Sequence, residues 1–162
     1  MPRERDPVQQ ATAKALAMLA RRDYSQAKLR ERLLGKDFAP EIVSQVVTRC
    51  VDAGYVDDNR YGRTRLEARL QRRPSGQRDA LDDLRRQGLT TTMSEGIVEE
   101  VFTEAGGEGA VLDDAMRRWQ AKNGEPTDLA ATKRCFDHLM RRRFPRYLVL
   151  QALSPWLDNL HD

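Results

Sequence analysis

Residues 26–51 read QAKLRERLLGKDFAPEIVSQVVTRCV, and this stretch decides the fold class. Leu29, Leu33 and Leu34 mark one helical face, and Ile42, Val46, Val47 and Val51 mark a second, both at a period near 3.6 residues. Asp23 and Ser25 place capping oxygens ahead of the first stripe, and Gly35 closes it. Pro40 suits the first turn of the next helix, and Gly54 supplies a left-handed residue after it. Upstream, Leu16, Leu19 and Ala20 form an earlier stripe, so three helices on short turns are expected over roughly 8–54. β-branched alternation is almost absent, which leaves no place for a sheet.

The pattern then returns. A shift of 51 positions puts Leu84 on Leu33, Leu89 on Phe38, Met93 on Ile42 and Ile97 on Val46; a shift of 106 puts Leu139, Phe144, Leu148 and Ala152 on the same four. A period near fifty built of helix triplets reads as an all-α chain of three tandem three-helix repeats, an elongated and curved modular array. The expected units are 8–58, 59–106 and 107–162. The first joint falls at Gly54-Tyr55-Val56-Asp57-Asp58, where either aspartate can cap the following helix, and the second at Ala105-Gly106-Gly107-Glu108-Gly109. The first helices of the units align less well, because Asn123-Gly124-Glu125-Pro126 lengthens the third unit.

With 162 residues, 40% hydrophobic and 33% charged, the chain suits one domain or a short array of small units. Lys plus Arg number 28 against 25 Asp plus Glu, a net charge of +3 that excludes both a histone-like tail and an acidic disordered chain. Mean hydropathy is −0.71, no apolar run approaches the length of a membrane span, and Met1-Pro2-Arg3-Glu4-Arg5-Asp6-Pro7 lacks a secretory apolar core. A cytoplasmic protein without a membrane partner is expected. Cys50 and Cys135 sit among apolar helical neighbours and read as reduced, buried thiols. His138 and His161 cannot assemble a zinc site, so no metal is expected.

An enzyme needs a nucleophile, an acid–base pair or a metal held in place, and no such set emerges. Asp57 and Asp58 are explained by helix capping. Gly106-Gly107-Glu108-Gly109 has neither the lysine nor the preceding strand of a phosphate loop and reads as a hinge. The expectation is therefore a protein with no catalytic residues and no cofactor. Charge distribution is more informative. Arg60, Arg63, Arg65, Arg69, Arg72 and Arg73 face only Glu67 within 60–73; Arg141, Arg142, Arg143 and Arg146 cluster later; Arg21, Arg22 and Arg32 punctuate the first unit. Residues 94–116 carry seven acids and no base before Arg117. Clustered arginines attract phosphate or acidic protein surface. Trp119 and Trp156 read as core anchors, and the four tyrosines lie at turns or helix ends, so stacking groups for single strands are scarce.

These residues resemble the RecX regulators of the RecA recombinase. The likeness begins with Ala15-Leu16-x-x-Leu19-Ala20-Arg21-Arg22-x-Tyr24-Ser25, continues through Leu29-x-x-x-Leu33, and culminates in Gly54-Tyr55-Val56-Asp57-Asp58-x-Arg60-Tyr61. Gly76 and Leu84-Arg85-Arg86-Gln87-Gly88-Leu89 extend it, so that roughly 11–105 are covered well. The chain departs from the family pattern at Arg73-Pro74-Ser75-Gly76-Gln77 and in placing Ala80 at an apolar position. The resemblance implies tandem three-helix units, no catalysis, binding to the RecA filament on single-stranded DNA, and suppression of its recombinase and ATPase activities in DNA repair and recombination.

The arginines expected to contact the partner filament or DNA are Arg21, Arg22, Arg32, Arg60, Arg63, Arg69, Arg72, Arg73, Arg141, Arg142 and Arg143. Single- or double-stranded DNA on the basic faces is the further partner class, and a monomer is expected. The alternative reading is a helical nucleic-acid-binding module acting directly on DNA, since a three-helix unit with a short turn is similar to helix-turn-helix geometry. If the repeat alignment identifies core, Leu33→Ala costs about 2–5 kcal/mol in urea denaturation; a cost under about 1 kcal/mol would refute that placement.

Overall fold

The computed structural model describes residues 5–159, so Met1–Glu4 and the stretch holding His161 lie outside the described residues. Nine α-helices and no strand occur among the described residues. They are α1 (Pro7–Arg21), α2 (Gln26–Leu34), α3 (Pro40–Asp52), α4 (Asp58–Arg72), α5 (Gln77–Arg86), α6 (Thr91–Glu104), α7 (Glu108–Asn123), α8 (Leu129–Arg141) and α9 (Arg146–Asp158). Within each successive triplet the third helix packs against the other two. The accessible surface is 10346 Å², against about 8,200 Å² for a compact globule of this mass, and that excess is the mark of an elongated molecule.

Packing follows the repeat. Leu33, Leu84 and Leu139 are all fully buried, as are Leu29, Ala80 and Cys135 one turn earlier. The turn after the second helix is the same in each triplet: Asp37, Gly88 and Arg143, at equivalent positions, all have left-handed backbone with φ 65°, 87° and 62°. Gly35 itself is right-handed with φ −66°, so the chain reverses two residues later than the glycine suggests. Gly54 is left-handed as expected, and Pro40 opens α3. Asp57 accepts from the Arg60 amide at 3.0 Å and caps α4. The stripe on α1 keeps Leu19 of the expected Leu16, Leu19 and Ala20, partly buried, but otherwise runs through Ala11 and Ala15, which are buried, while Leu16 is 42% exposed. Alanine lets α1 lie close to α3, which turns the larger leucine outward.

Two apolar clusters result. One holds Leu29, Leu33, Val43, Val46 and Val47 of the first triplet alone; the other runs continuously through the second and third, from Leu66, Leu84 and Phe102 to Trp119, Leu139 and Leu153. Trp156 packs against the second cluster, partly buried. Both thiols are buried and unpaired, and burial pushes Cys135 up to about 11.

The joints repeat as well. At the first, Ser25 Oγ donates to the Gln87 carbonyl at 2.6 Å, the Gln26 amide donates to Asp58 Oδ1 at 2.8 Å, and Ala27 rests on Gly88. At the second, the Gly76 amide donates to the Arg142 carbonyl at 2.8 Å and the Gln77 amide to Glu108 Oε1 at 2.9 Å. A β-carbon on Gly76 would lie 2.2 Å from the Arg143 carbonyl oxygen, so only glycine fits there.

Two positions carry predictions. Ser94 occupies the site of Val43 and Val149, is fully buried, and its hydroxyl has no hydrogen-bond partner. Ser94→Ala therefore raises stability by about 1 kcal/mol, and a loss of stability in urea denaturation would refute the orphaned hydroxyl. Asp83 is 5% exposed in its side chain and takes Arg65 at 2.7 and 3.0 Å, with Arg69 at 3.7 Å and Arg86 at 3.8 Å. Burial pushes this carboxyl up, but the Arg65 hydrogen bonds and the charges of Arg65, Arg69 and Arg86 together hold it below the usual carboxylate range. A depressed carboxylate contributes stability above its unfolded pKa near 3.9 and loses it as pH falls through the folded value. Asp83→Asn costs about 2 kcal/mol near pH 7, less than a fully buried pair because the arginines keep solvent contact. The gap to wild type closes below about pH 4; a pH-independent gap would show that packing, not charge, is lost.

Candidate functional site

The basic residues divide into two populations. On α4, Arg63 bonds Glu67 at 3.0 Å, Glu100 at 3.3 Å and, more closely, Glu104. Arg69 holds Asp79 at 2.9 Å, and Arg143 is paired with Asp82. The acidic helix α6 is thus partly neutralised by α4 rather than standing free, and these three arginines tie helices together. Arg60 donates to the Gly54 carbonyl at 3.5 Å and caps the turn ahead of its own helix.

The second population faces solvent without a carboxylate among the described residues. Arg21 and Arg22 end α1, with the Arg22 guanidinium 4.8 Å from the centre of the Tyr24 ring; Arg32 is exposed on α2. Arg72 and Arg73 lie 51 positions later, at the end of α4. Arg141 ends α8, and Lys122 stands in the last turn of α7. All, Arg32 in the last turn of the short α2 included, sit at helix C-terminal ends, where the backbone dipole favours cations.

Across the joint between the second and third triplets the cations converge. Arg118 Nη1 donates to the Arg72 carbonyl at 3.3 Å, and Arg142 Nη1 to the Pro74 carbonyl at 3.3 Å. Burial, then the charges of Arg73, Arg118 and Arg141, hold the Arg142 guanidinium below its ordinary value despite the opposing carboxylate of Asp79. Burial also lowers His138, followed by the charges of Arg142, Arg141, Arg73 and Lys122, which favours the neutral imidazole beside these cations. The structure therefore brings Arg72, Arg73, Arg141 and Arg142 to one joint, engages the neighbouring Arg69 and Arg143, and Arg63, in ion pairs, and places Arg21, Arg22 and Arg32 in the first triplet and Arg60 at the start of α4. Arg118, Lys122 and His138 are not singled out by sequence; Lys122 and His138 lie in the last turns of α7 and α8, legible only once the helix ends are known, and Arg118 joins them only through its contact with the Arg72 carbonyl. Such a cluster can hold phosphate groups or an acidic protein surface.

No helix among the described residues is long and apolar enough to cross a membrane. No group of three or more His, Cys, Asp or Glu side chains among them could hold a metal ion.

The comparisons agree with this architecture. The family model for the first three-helix domain of RecX matches residues 11–50. Regulatory protein RecX of Trichlorobacter lovleyi is 32% identical over 145 residues, spanning 86% of this chain and 91% of the relative. Regulatory protein RecX of Syntrophotalea carbinolica is 29% identical over 148 residues, spanning 91% and 97%. The crystal structure of RecX from Lactobacillus salivarius superposes with a TM-score of 0.78 over 93% of this chain and 97% of that one, at 10% sequence identity, a likeness of fold alone. An all-α chain of repeated helix triplets, related over nearly its whole length to regulatory proteins of one kind, belongs to the RecX family.

Proposed function

We propose that this chain is a cytoplasmic regulator that binds the RecA recombinase filament on single-stranded DNA and inhibits its recombinase and ATPase activities, with no catalysis and no cofactor of its own. Family membership supports a regulatory role. The observation that carries the contact is the set of unmatched cations: Arg21-Arg22 and Arg72-Arg73 recur one repeat apart, and Arg141 and Lys122 extend the second pair across a joint. A filament repeats its subunits, and an elongated array of units 8–58, 59–106 and 107–162 that repeats its charges can meet it at more than one subunit. Direct binding of DNA phosphates is the second reading, favoured by the same cluster around Arg142. A monomer is sufficient for both.

The test reverses charges that do not hold the fold. Arg69 is excluded, since its bonds to Asp79 and Asp83 make it structural. Arg72→Glu, Arg73→Glu and Arg141→Glu combined are expected to raise the concentration for half-inhibition of RecA ATPase by about tenfold or more, with helicity unchanged. Raising salt weakens wild type more than the triple variant. Equal inhibition by wild type and variant at every salt concentration would refute the contact. Binding to bare single-stranded DNA as tight as to RecA-coated DNA would transfer the function to the second reading.

A further inference from the structure

The two joints share one plan but not one shape. At the first, Ala27 of α2 sits directly on Gly88, so closely that a β-carbon on Gly88 would lie 2.2 Å from that of Ala27. The equivalent pair at the second joint is Arg78 and Arg143. Two small residues are thus exchanged for two arginines. Beside the tight contact of Gly76 with Arg143, the second joint holds a cleft of 640 Å³ whose floor is Leu81, Met140, Phe144 and Pro145, within the size range of ligand clefts.

The charges around this cleft are not balanced. Glu108 lines it but accepts the Gln77 amide at 2.9 Å, and Asp82 is occupied by Arg143. Arg78 and Arg146 stand exposed at the mouth with no carboxylate partner among the described residues, and the Arg146 guanidinium is held 5.3 Å from the centre of the Phe136 ring. Stacking on a ring fixes a guanidinium in place while leaving its edge free for an incoming carboxylate. An apolar floor with a methionine adapts to large side chains, whereas a phosphodiester strand would leave that floor uncovered.

We propose that the cleft between α5 and the α8–α9 turn is a docking site for an acidic peptide that carries large apolar side chains between its carboxylates. The apolar groups enter between Leu81 and Met140, and the carboxylates meet Arg78 and Arg146. The site is separate from the solvent-facing cluster of Arg72, Arg73 and Arg141 and does not depend on how that cluster is used.

The experiment is a fluorescence anisotropy titration of the full chain with a short labelled peptide of glutamate and aspartate interleaved with leucine and phenylalanine. A control peptide keeps the acids and replaces the apolar residues with serine. The first peptide is expected to bind about tenfold or more tightly than the control. Arg78→Glu with Arg146→Glu weakens it by about tenfold or more, while Arg72→Glu with Arg73→Glu changes it by less than about twofold. A second variant, Met140→Ser, removes an apolar lining side chain while leaving every ion pair in place, and weakens binding of the first peptide by about threefold or more with the helical signal retained. Equal binding of the two peptides, or undiminished binding by the charge-reversed or Met140→Ser variant, would overturn the proposal. So would a concentration-dependent dimer in sedimentation that disappears in the Arg78→Glu, Arg146→Glu variant without any peptide binding, which would give the cleft to a second copy of this chain.

Discussion

Both joints between triplets are built on one contact, the meeting of a helix N-terminus with the C-terminal cap of the corresponding helix in the next triplet. The start of α2 is bonded to the Gln87 carbonyl beyond α5, and the start of α5 to the Arg142 carbonyl beyond α8. Each contact satisfies groups that a helix leaves unpaired at its two ends, an amide or hydroxyl donor on one side and a carbonyl on the other. It also brings the positive end of one helix dipole to the negative end of another. A carboxylate at the start of the next triplet, Asp58 or Glu108, accepts a further amide and locks the angle. Burial and the neighbouring Asp57 push the Asp58 carboxyl up, with burial the larger cause, while the Gln26 amide opposes them. The first joint is therefore polar and short, whereas at the second the apolar cluster also runs on from one triplet into the next.

The third triplet departs from this plan. In α8 the residue equivalent to Gln26 and Gln77 is Thr132, whose amide is already bonded to the Asp128 carbonyl at 2.9 Å, because this helix starts an extra turn earlier under the Asp128 cap. The donor that crosses the joint in the first two triplets is consumed within the third. Here lie the additional residues around Asn123-Gly124-Glu125-Pro126, so the bond that crosses the first two joints has no counterpart at the start of α8.

What could be read from sequence follows from which forces leave a periodic trace. Burial does, and Leu33, Leu84 and Leu139 are found fully buried because a helix has only one face toward its neighbours. Conformation leaves a trace only where glycine is used. Gly88 marks the left-handed turn openly, whereas Asp37 and Arg143 adopt it without a glycine and were invisible. The α1 stripe was misplaced because alanine carries a weak apolar signal yet permits the close helix contact. Ion pairs leave no trace at all: Arg63 and Arg73 look alike on one helix, and only the position of α6 makes the first a tie to Glu100 and Glu104 while the second faces solvent.

That partition also explains how a chain of net charge +3 carries strongly basic surfaces. Carboxylates are concentrated on α5 and α6, where Asp79, Asp82, Asp83, Glu100 and Glu104 bind arginines of α4 and of the turn after α8. Those pairs fix α4 against its neighbours, around a buried Asp83 and an exposed Glu100 and Glu104. The unpaired Arg21, Arg22, Arg32, Arg72, Arg73 and Arg141 fall in or just after the last turns of their helices, where the dipole stabilises them. Placing arginines in ion pairs between helices and unpaired ones at helix C-terminal ends lets the same residue type hold the array together and present charge to whatever the array meets.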